Sequence, residues 1–216
     1  MKLRTGLLCI LFLACMQPIA AHTINYQLEK APIQNVVWYY LQLGYQHILP
    51  DGFDHILFVA GLCLLSTRAG VLLWQATAFT VAHTITLMLS MKGLIVVPPS
   101  IVEPIIALSI AFIAIENLVM TQLKAWRVLI VFGFGLIHGM GFASALNELG
   151  LPRNAFYTSL LSFNVGVELG QITVISIMYL GLIYWFGDMP WYRKRIAYPL
   201  SISIAMIALY WTYTRI

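Results

Sequence analysis

Charge is what this chain has little of. Of its 216 residues only 9% are Asp, Glu, Lys or Arg, against 61% hydrophobic residues and a mean hydropathy of +0.86. So much apolar surface cannot be hidden inside one soluble core, which excludes a soluble globular fold and implies an integral membrane protein. The net charge of +4 is small and its lysines and arginines are scattered over loops, so nucleic-acid binding has no footprint. Cysteine is scarce as well. Cys9 and Cys15 fall in the first 21 residues and Cys63 stands alone in an apolar stretch, so no disulfide framework can form. There is no soluble domain, no low-complexity tract and no HExxH motif, which removes the compact zinc-protease signature.

What is present is a series of long apolar runs. Residues 1–21 read as a secretory signal: Lys2 and Arg4, an apolar run from Gly6 to Met16, and the small residues Ala20 and Ala21 before His22. Roughly 20 residues at helical rise cross the hydrocarbon layer. Six later stretches approach that length: Pro50 to Leu65, Val71 to Met91, Ser100 to Met120, Trp126 to Leu149, Phe156 to Phe186 and Ile196 to Tyr213. Ile33 to Leu49 is broken by Gln34, Asn35, Gln42, Gln46 and His47 and reads as an interfacial amphipathic helix. The expectation is an all-α polytopic bundle of about six spans. Residues 1–21 are the signal peptide, 22–49 an exported segment with the interfacial helix, and 50–216 the transmembrane domain. With the amino terminus exported, Arg68, Lys124, Arg127, Arg193, Lys194 and Arg195 fall inside, against Lys30, Lys92, Arg153 and Arg215 outside. That places the chain in a bacterial-type inner (plasma) membrane with both termini outside. Trp38, Trp74, Trp126, Trp191 and Trp211 near span ends fit an aromatic belt.

Against this apolar background the polar residues are few and clustered. His55, His83 and His138 lie on three different predicted helices, and an ionisable group at membrane depth points first to function. Asp51 and Asp54 sit within a turn of His55. A carboxylate beside an imidazole serves as a ligand or as the group that orients one. Glu103 and Glu116 are 13 residues apart on the third predicted span, about 20 Å along its axis, so they cannot share one ion. Asn117 adjoins Glu116. Gly135 and Gly139 form a GxxxG pair around His138, and Gly166 and Gly170 form a notch beside the stripe Asn164, Glu168, Gln171. A faint likeness links Phe79 to Thr86 with Phe163 to Gly170, and Asp54-His55 with His138-Gly139. These pairs fall on spans two and five and on spans one and four, as a three-plus-three inverted repeat requires.

Five runs carry a resemblance: Gly52-Phe-Asp54-His55-Ile-Leu-Phe; Ala82-His83-Thr-Ile-Thr-Leu; Val102-Glu103 with Glu116-Asn117; His138-Gly139-Met-Gly141-Phe-Ala143; and Phe163-Asn164-Val-Gly166-Val-Glu168-Leu-Gly170-Gln171. Over about Gly44 to Thr173 the chain resembles the HupE/UreJ-like family of membrane proteins. Its second branch is the closer one, because His47-Ile-Leu-Pro50-Asp-Gly52-Phe-Asp54-His55 shifts the proline and adds a residue relative to the hydrogenase branch. The resemblance implies a multi-span permease tied to nickel or cobalt supply for hydrogenase and urease maturation. Imidazole with carboxylate suits nickel, cobalt, zinc or ferrous ions, and the lack of cysteine disfavours cuprous ion. The expected metal site is therefore His55, His83 and His138 as nitrogen ligands, with Asp54 and Glu168 as oxygen ligands or orienters. Glu103, Glu116, Asn117, Asn164 and Gln171 support it. The competing expectation is an intramembrane zinc hydrolase with Glu168 or Glu116 as general base. Expected partners are the metal ion, the lipid bilayer and a second copy of the chain through glycine-rich helix faces.

The charge asymmetry makes a topology prediction. A reporter that works only outside the cytoplasm, fused after Ile216, is expected to be active, and a cytoplasm-only reporter at the same point to be silent.

Overall fold

The computed structural model describes residues 26–216, and the elements among them are helical. The leader read over residues 1–21, with Cys9 and Cys15, lies outside the described residues. In chain order the helices are α1 (Tyr26–Glu29), α2 (Ile33–Ile48), α3 (Phe53–Leu65), α4 (Ala69–Met91), α5 (Pro99–Val119), α6 (Arg127–Leu149), α7 (Phe156–Met178), α8 (Tyr184–Phe186) and α9 (Tyr198–Thr214). Wider π turns at Tyr179–Ile183 and Arg193–Ala197 extend α7 into α8 and lead into α9. Proline and glycine set several of the ends. Pro99 occupies the first turn of α5, where its missing N–H has no helical partner to lose. Gly93 and Gly150, at φ 70° and 76°, follow α4 and α6 in the backbone region that glycine enters without strain.

Among the described residues, five helical stretches are individually long and apolar enough to cross a membrane: Ala69–Met91, Pro99–Val119, Arg127–Leu149, Arg153–Phe186 and Arg193–Thr214. α5 shows how such a helix divides its surface. Ile101, Ile105, Leu108, Phe112, Ile115 and Val119 face outward, while Val102, Ile106, Ser109, Ile110, Ile113, Glu116 and Asn117 face the bundle. Apolar groups thus cover both faces, and the polar ones beyond the first turns, Ser109, Glu116 and Asn117, are turned inward, as lipid requires.

A sixth candidate is bent. α2 and α3 pass the same test only as a pair, joined at a 67° break over residues 49–52. The pair is either one broken span, in which α2 is the first half of the span read as starting at Pro50, or a re-entrant loop. α2 lies along α7 and runs in the same direction. Tyr40 Oη donates to the Gly150 carbonyl at 2.7 Å, a Cβ on Gly44 would collide with the Phe163 carbonyl, and one on Gly170 would strike Ile48. With six crossings the first and fifth run the same way, so this register fits α2 to the first span. The amphipathic helix expected at the interface thus buries Val36, Tyr40, Gly44 and Ile48 against a neighbouring span.

The three most extensive helix pairings are α4 with α6, α2 with α7, and α5 with α9. Exchanging the first three spans for the last three turns the α2–α7 pair into the α6–α4 pair and returns α5–α9 to itself. The contacts follow the same rule. Gly44 abuts the Phe163 carbonyl, and Gly135 abuts the Phe79 carbonyl. Phe79 and Phe163 head the two runs whose likeness suggested a repeat. In this register the counterpart of His138, three residues after Gly135, is His47, three residues after Gly44. The sequence comparison had paired His138 with His55 instead.

Both interfaces depend on missing side chains. Beside Gly135, a Cβ on Gly139 would meet the His83 carbonyl and Thr86, and one on Gly166 would meet the Leu41 carbonyl. Gly44, Gly135, Gly139, Gly166 and Gly170 thus serve contacts within the chain. Gly44→Leu and Gly139→Leu are expected to destabilise by at least about 1–3 kcal/mol, the usual cost of overpacking. Gly133→Ala, whose Cβ would meet nothing within 4 Å, is the matched control. Thermal unfolding of the purified protein in detergent checks the difference.

Candidate metal centre

Three imidazoles converge where α2, α3 and α4 meet. His47 lies in the last turn of α2, His55 in the first turn of α3 and His83 in the middle of α4. Each offers a nitrogen, and the three nitrogens lie within 4.8 Å of one another. The break between α2 and α3 creates this arrangement. Gly52 tucks under the carbonyl of His47, where a Cβ would collide, and the His47 and His55 ring centroids come to 4.7 Å. His55 and His83 are buried, whereas His47 is partly exposed. Phe79 and Phe142 wall the group, with the Phe142 centroid 3.8 Å from that of His47.

Donor accounting fixes which nitrogens carry lone pairs. The Asn164 side-chain N–H donates to the Leu160 carbonyl at 2.8 Å, leaving its Oδ1 as an acceptor 3.2 Å from His83 Nδ1. His83 therefore carries its proton on Nδ1 and a lone pair on Nε2. That Nε2 is buried without a partner, and so is His47 Nε2. A buried polar atom left unpaired costs roughly 1–3 kcal/mol, so two in one cluster call for an occupant. The pattern of one nitrogen donating to an orienting group and the other free is how a metal-ligating histidine is held.

His138 stands one layer behind. Ser109 Oγ donates to the Ile106 carbonyl at 2.7 Å, so it accepts from His138 Nε2 at 3.0 Å. The His138 lone pair is then on Nδ1, 3.5 Å from His55 Nε2. His138 thus touches His55 and lies outside the compact group of three.

The remaining sequence candidates have other partners. Asp54 pairs through both carboxylate oxygens with Arg215 at 3.2 Å, tying the start of α3 to the end of α9. Glu168 accepts from Thr77 at 2.6 Å across the α4–α7 interface. Gln171 meets Thr80 at 3.0 Å on the same interface. Glu103 is exposed near the start of α5. His47 is the member that the sequence reading left out of the ligand set, taking it as a polar interruption of α2 and as the head of the run that ends at His55. Its signal was the Pro50-Asp51-Gly52 break between it and His55, eight residues further on, which folds one helix end against the next helix start.

Glu116 and Asn117 belong to a second buried cluster. Arg127, fully buried at the start of α6, forms an ion pair with Glu116 at 2.9 Å and donates to Asn117 Oδ1 at 3.2 Å. The Asn117 amide donates in turn to the Gly61 carbonyl and to Ser201 Oγ, so α3, α5, α6 and α9 are joined through it. Arg193 caps the end of α5 on the Asn117, Met120 and Thr121 carbonyls. Burial, with Cys63 adding to it, pushes the nearby Tyr192 phenol up to about 12, so it stays neutral beside this network. Arg127 had been read from the sequence as a loop charge. Removing one partner of a buried pair leaves an uncompensated charge, so Arg127→Met alone is expected to cost about 3–5 kcal/mol, and Arg127→Met with Glu116→Leu much less. Thermal unfolding of the two proteins, with metal binding as the readout that stays constant, checks this.

Comparison with known proteins adds the family. No curated protein and no solved structure matches the chain. The family described as HupE / UreJ protein matches residues 23–215, which takes in every helix described above. The resemblance carried by the Asp54-His55, His83, His138-Gly139 and Asn164 to Gln171 runs therefore extends over nearly the whole chain, and this membrane-spanning helical protein belongs to the HupE/UreJ family.

Proposed function

We propose that the protein is a membrane permease for a divalent transition metal ion, nickel or cobalt first, with His47, His55 and His83 as the ion's intramembrane ligands. The observation that carries this reading is the pair of buried, unpartnered Nε2 atoms of His47 and His83 beside His55. Borderline ions of this class prefer imidazole nitrogen. A neutral three-nitrogen site leaves coordination positions for water, so it binds without trapping, as a conducting site must. His138, anchored by Ser109, backs His55, and Asn164 holds the tautomer of His83. The two-fold relation between the α2–α7 and α6–α4 pairs supports transport, because a site at the junction of inverted repeats can be opened from either side by rocking one pair against the other.

The zinc-hydrolase alternative has less to support it. No carboxylate belongs to the compact group, and the candidate bases Glu116 and Glu168 are engaged by Arg127 and Thr77.

Chelator-treated protein is expected to bind one nickel or cobalt ion per chain. His47→Ala, His55→Ala and His83→Ala should each weaken binding by roughly 100-fold or more, and pairs of them should be non-additive because they share one ion. His138→Ala and Asn164→Ala, acting through a ligand, should weaken it by about 10–100-fold. Isothermal titration followed by uptake into proteoliposomes separates binding from transport. Binding that survives all three histidine variants, or bound ion with no flux, overturns the reading.

A further inference from the structure

The α4–α7 interface carries a second set of polar groups that the histidine centre does not use. Thr77 Oγ1 donates to Glu168 Oε1 at 2.6 Å, while Glu168 Oε2 is shielded from solvent and has no partner. Thr77 and Thr80 are one turn apart on α4, and Glu168 and Gln171 one turn apart on α7, so the four side chains face each other across the interface. Gln171 is fully buried, and its Nε2 has no partner. Thr80 has a single hydroxyl proton but lies within reach of two acceptors, the Ala76 carbonyl at 3.2 Å and Gln171 Oε1 at 3.0 Å. If that proton goes to Ala76, the Gln171 amide turns so that its N–H donates to Thr80 and its oxygen is left free. In either orientation the buried amide keeps one polar atom unmatched, one turn along α7 from the unmatched carboxylate oxygen of Glu168.

We propose that Glu168, Thr77, Thr80 and Gln171 form a second ion site, built of oxygen donors, that binds a sodium ion. Oxygen donors without nitrogen or sulfur select hard cations over the transition metals suited to the histidines. The charge count selects a monovalent one. Glu168 has no ion-pair partner among the described residues and lies near the middle of the Arg153–Phe186 span, where a single carboxylate neutralises one positive charge and a divalent ion would remain half-compensated. A bound proton would neutralise the carboxylate but leave the buried Gln171 amide unmatched, whereas a coordinated cation engages its oxygen too. The site stands on these residues independently of the permease reading. It lies one turn from the His83–Asn164 contact on the same two helices, since Asn164 precedes Glu168 by four residues and His83 follows Thr80 by three.

The test uses the full chain in lipid nanodiscs, with its thermal midpoint followed as sodium chloride replaces choline chloride at constant ionic strength. A saturable rise of several degrees with sodium is expected, since a ligand that binds only the folded state raises stability with concentration. Glu168→Gln and Thr77→Val should abolish the rise. His83→Ala should keep it while losing the separate shift produced by nickel, so failure of either site is told apart from failure of the other. Thr80→Val, which removes one oxygen at constant shape, serves if Glu168→Gln does not fold. An unchanged sodium response in these oxygen-site variants, no response beyond that of choline, or a response to pH alone overturns the proposal.

Discussion

The close approach of backbones at two glycine contacts governs everything else in this molecule. In lipid there is no hydrophobic force to press helices together, so association relies on van der Waals contact and on hydrogen bonds between spans. Gly44 against Phe163 and Gly135 against Phe79 bring main chains to distances that a Cβ would forbid. That proximity carries His47 and His138 toward the bundle centre from opposite halves of the chain. It also brings α4 close enough to α7 for His83 to reach Asn164. The polar centre is a consequence of small residues placed elsewhere.

Two buried polar systems then share the bundle without mixing. The histidine centre is a set of neutral groups in an aromatic enclosure, with lone pairs left over. The Arg127–Glu116–Asn117 network is charged and internally compensated, and it joins four helices. A compensated network gains nothing from an incoming ion, whereas an uncompensated set of nitrogens does. The atoms left over differ in kind rather than in burial: the free histidine nitrogens offer lone pairs, whereas the equally buried Arg127, whose Nη1 also lacks a partner, offers only N–H groups that no cation can use.

Much of this was legible in the sequence. The apolar runs located the spans, because lipid demands about 20 residues of one character and few charges. His55 and His83 stood out against that background and do converge. The GxxxG pair at Gly135 and Gly139 correctly marked a close helix contact, though the partner proved to be α4 of the same chain. His47 was obscured because α2 looks amphipathic when taken as a straight helix, and only the fold across Pro50 to Gly52 shows that its polar end points at α3. The partners of Asp54 and Glu116 were equally hidden. Arg215 and Arg127 are 161 and 11 residues away from them, and spacing along one helix says nothing about a contact between helices.

Under the proposed metal-ion reading, the partial exposure of His47 has a kinetic meaning. A buried ligand set exchanges its ion through whichever member can swing away at least cost, and among these three that is the histidine at the open end of a helix beside a break. In the proposed site, His55 and His83, enclosed by Phe79 and by each other, would set how tightly an ion is held, and His47 how long. Affinity and residence time would then fall to different helices, so the bend between α2 and α3 would alter the rate of ion exchange while leaving the strength of the deeper ligands untouched.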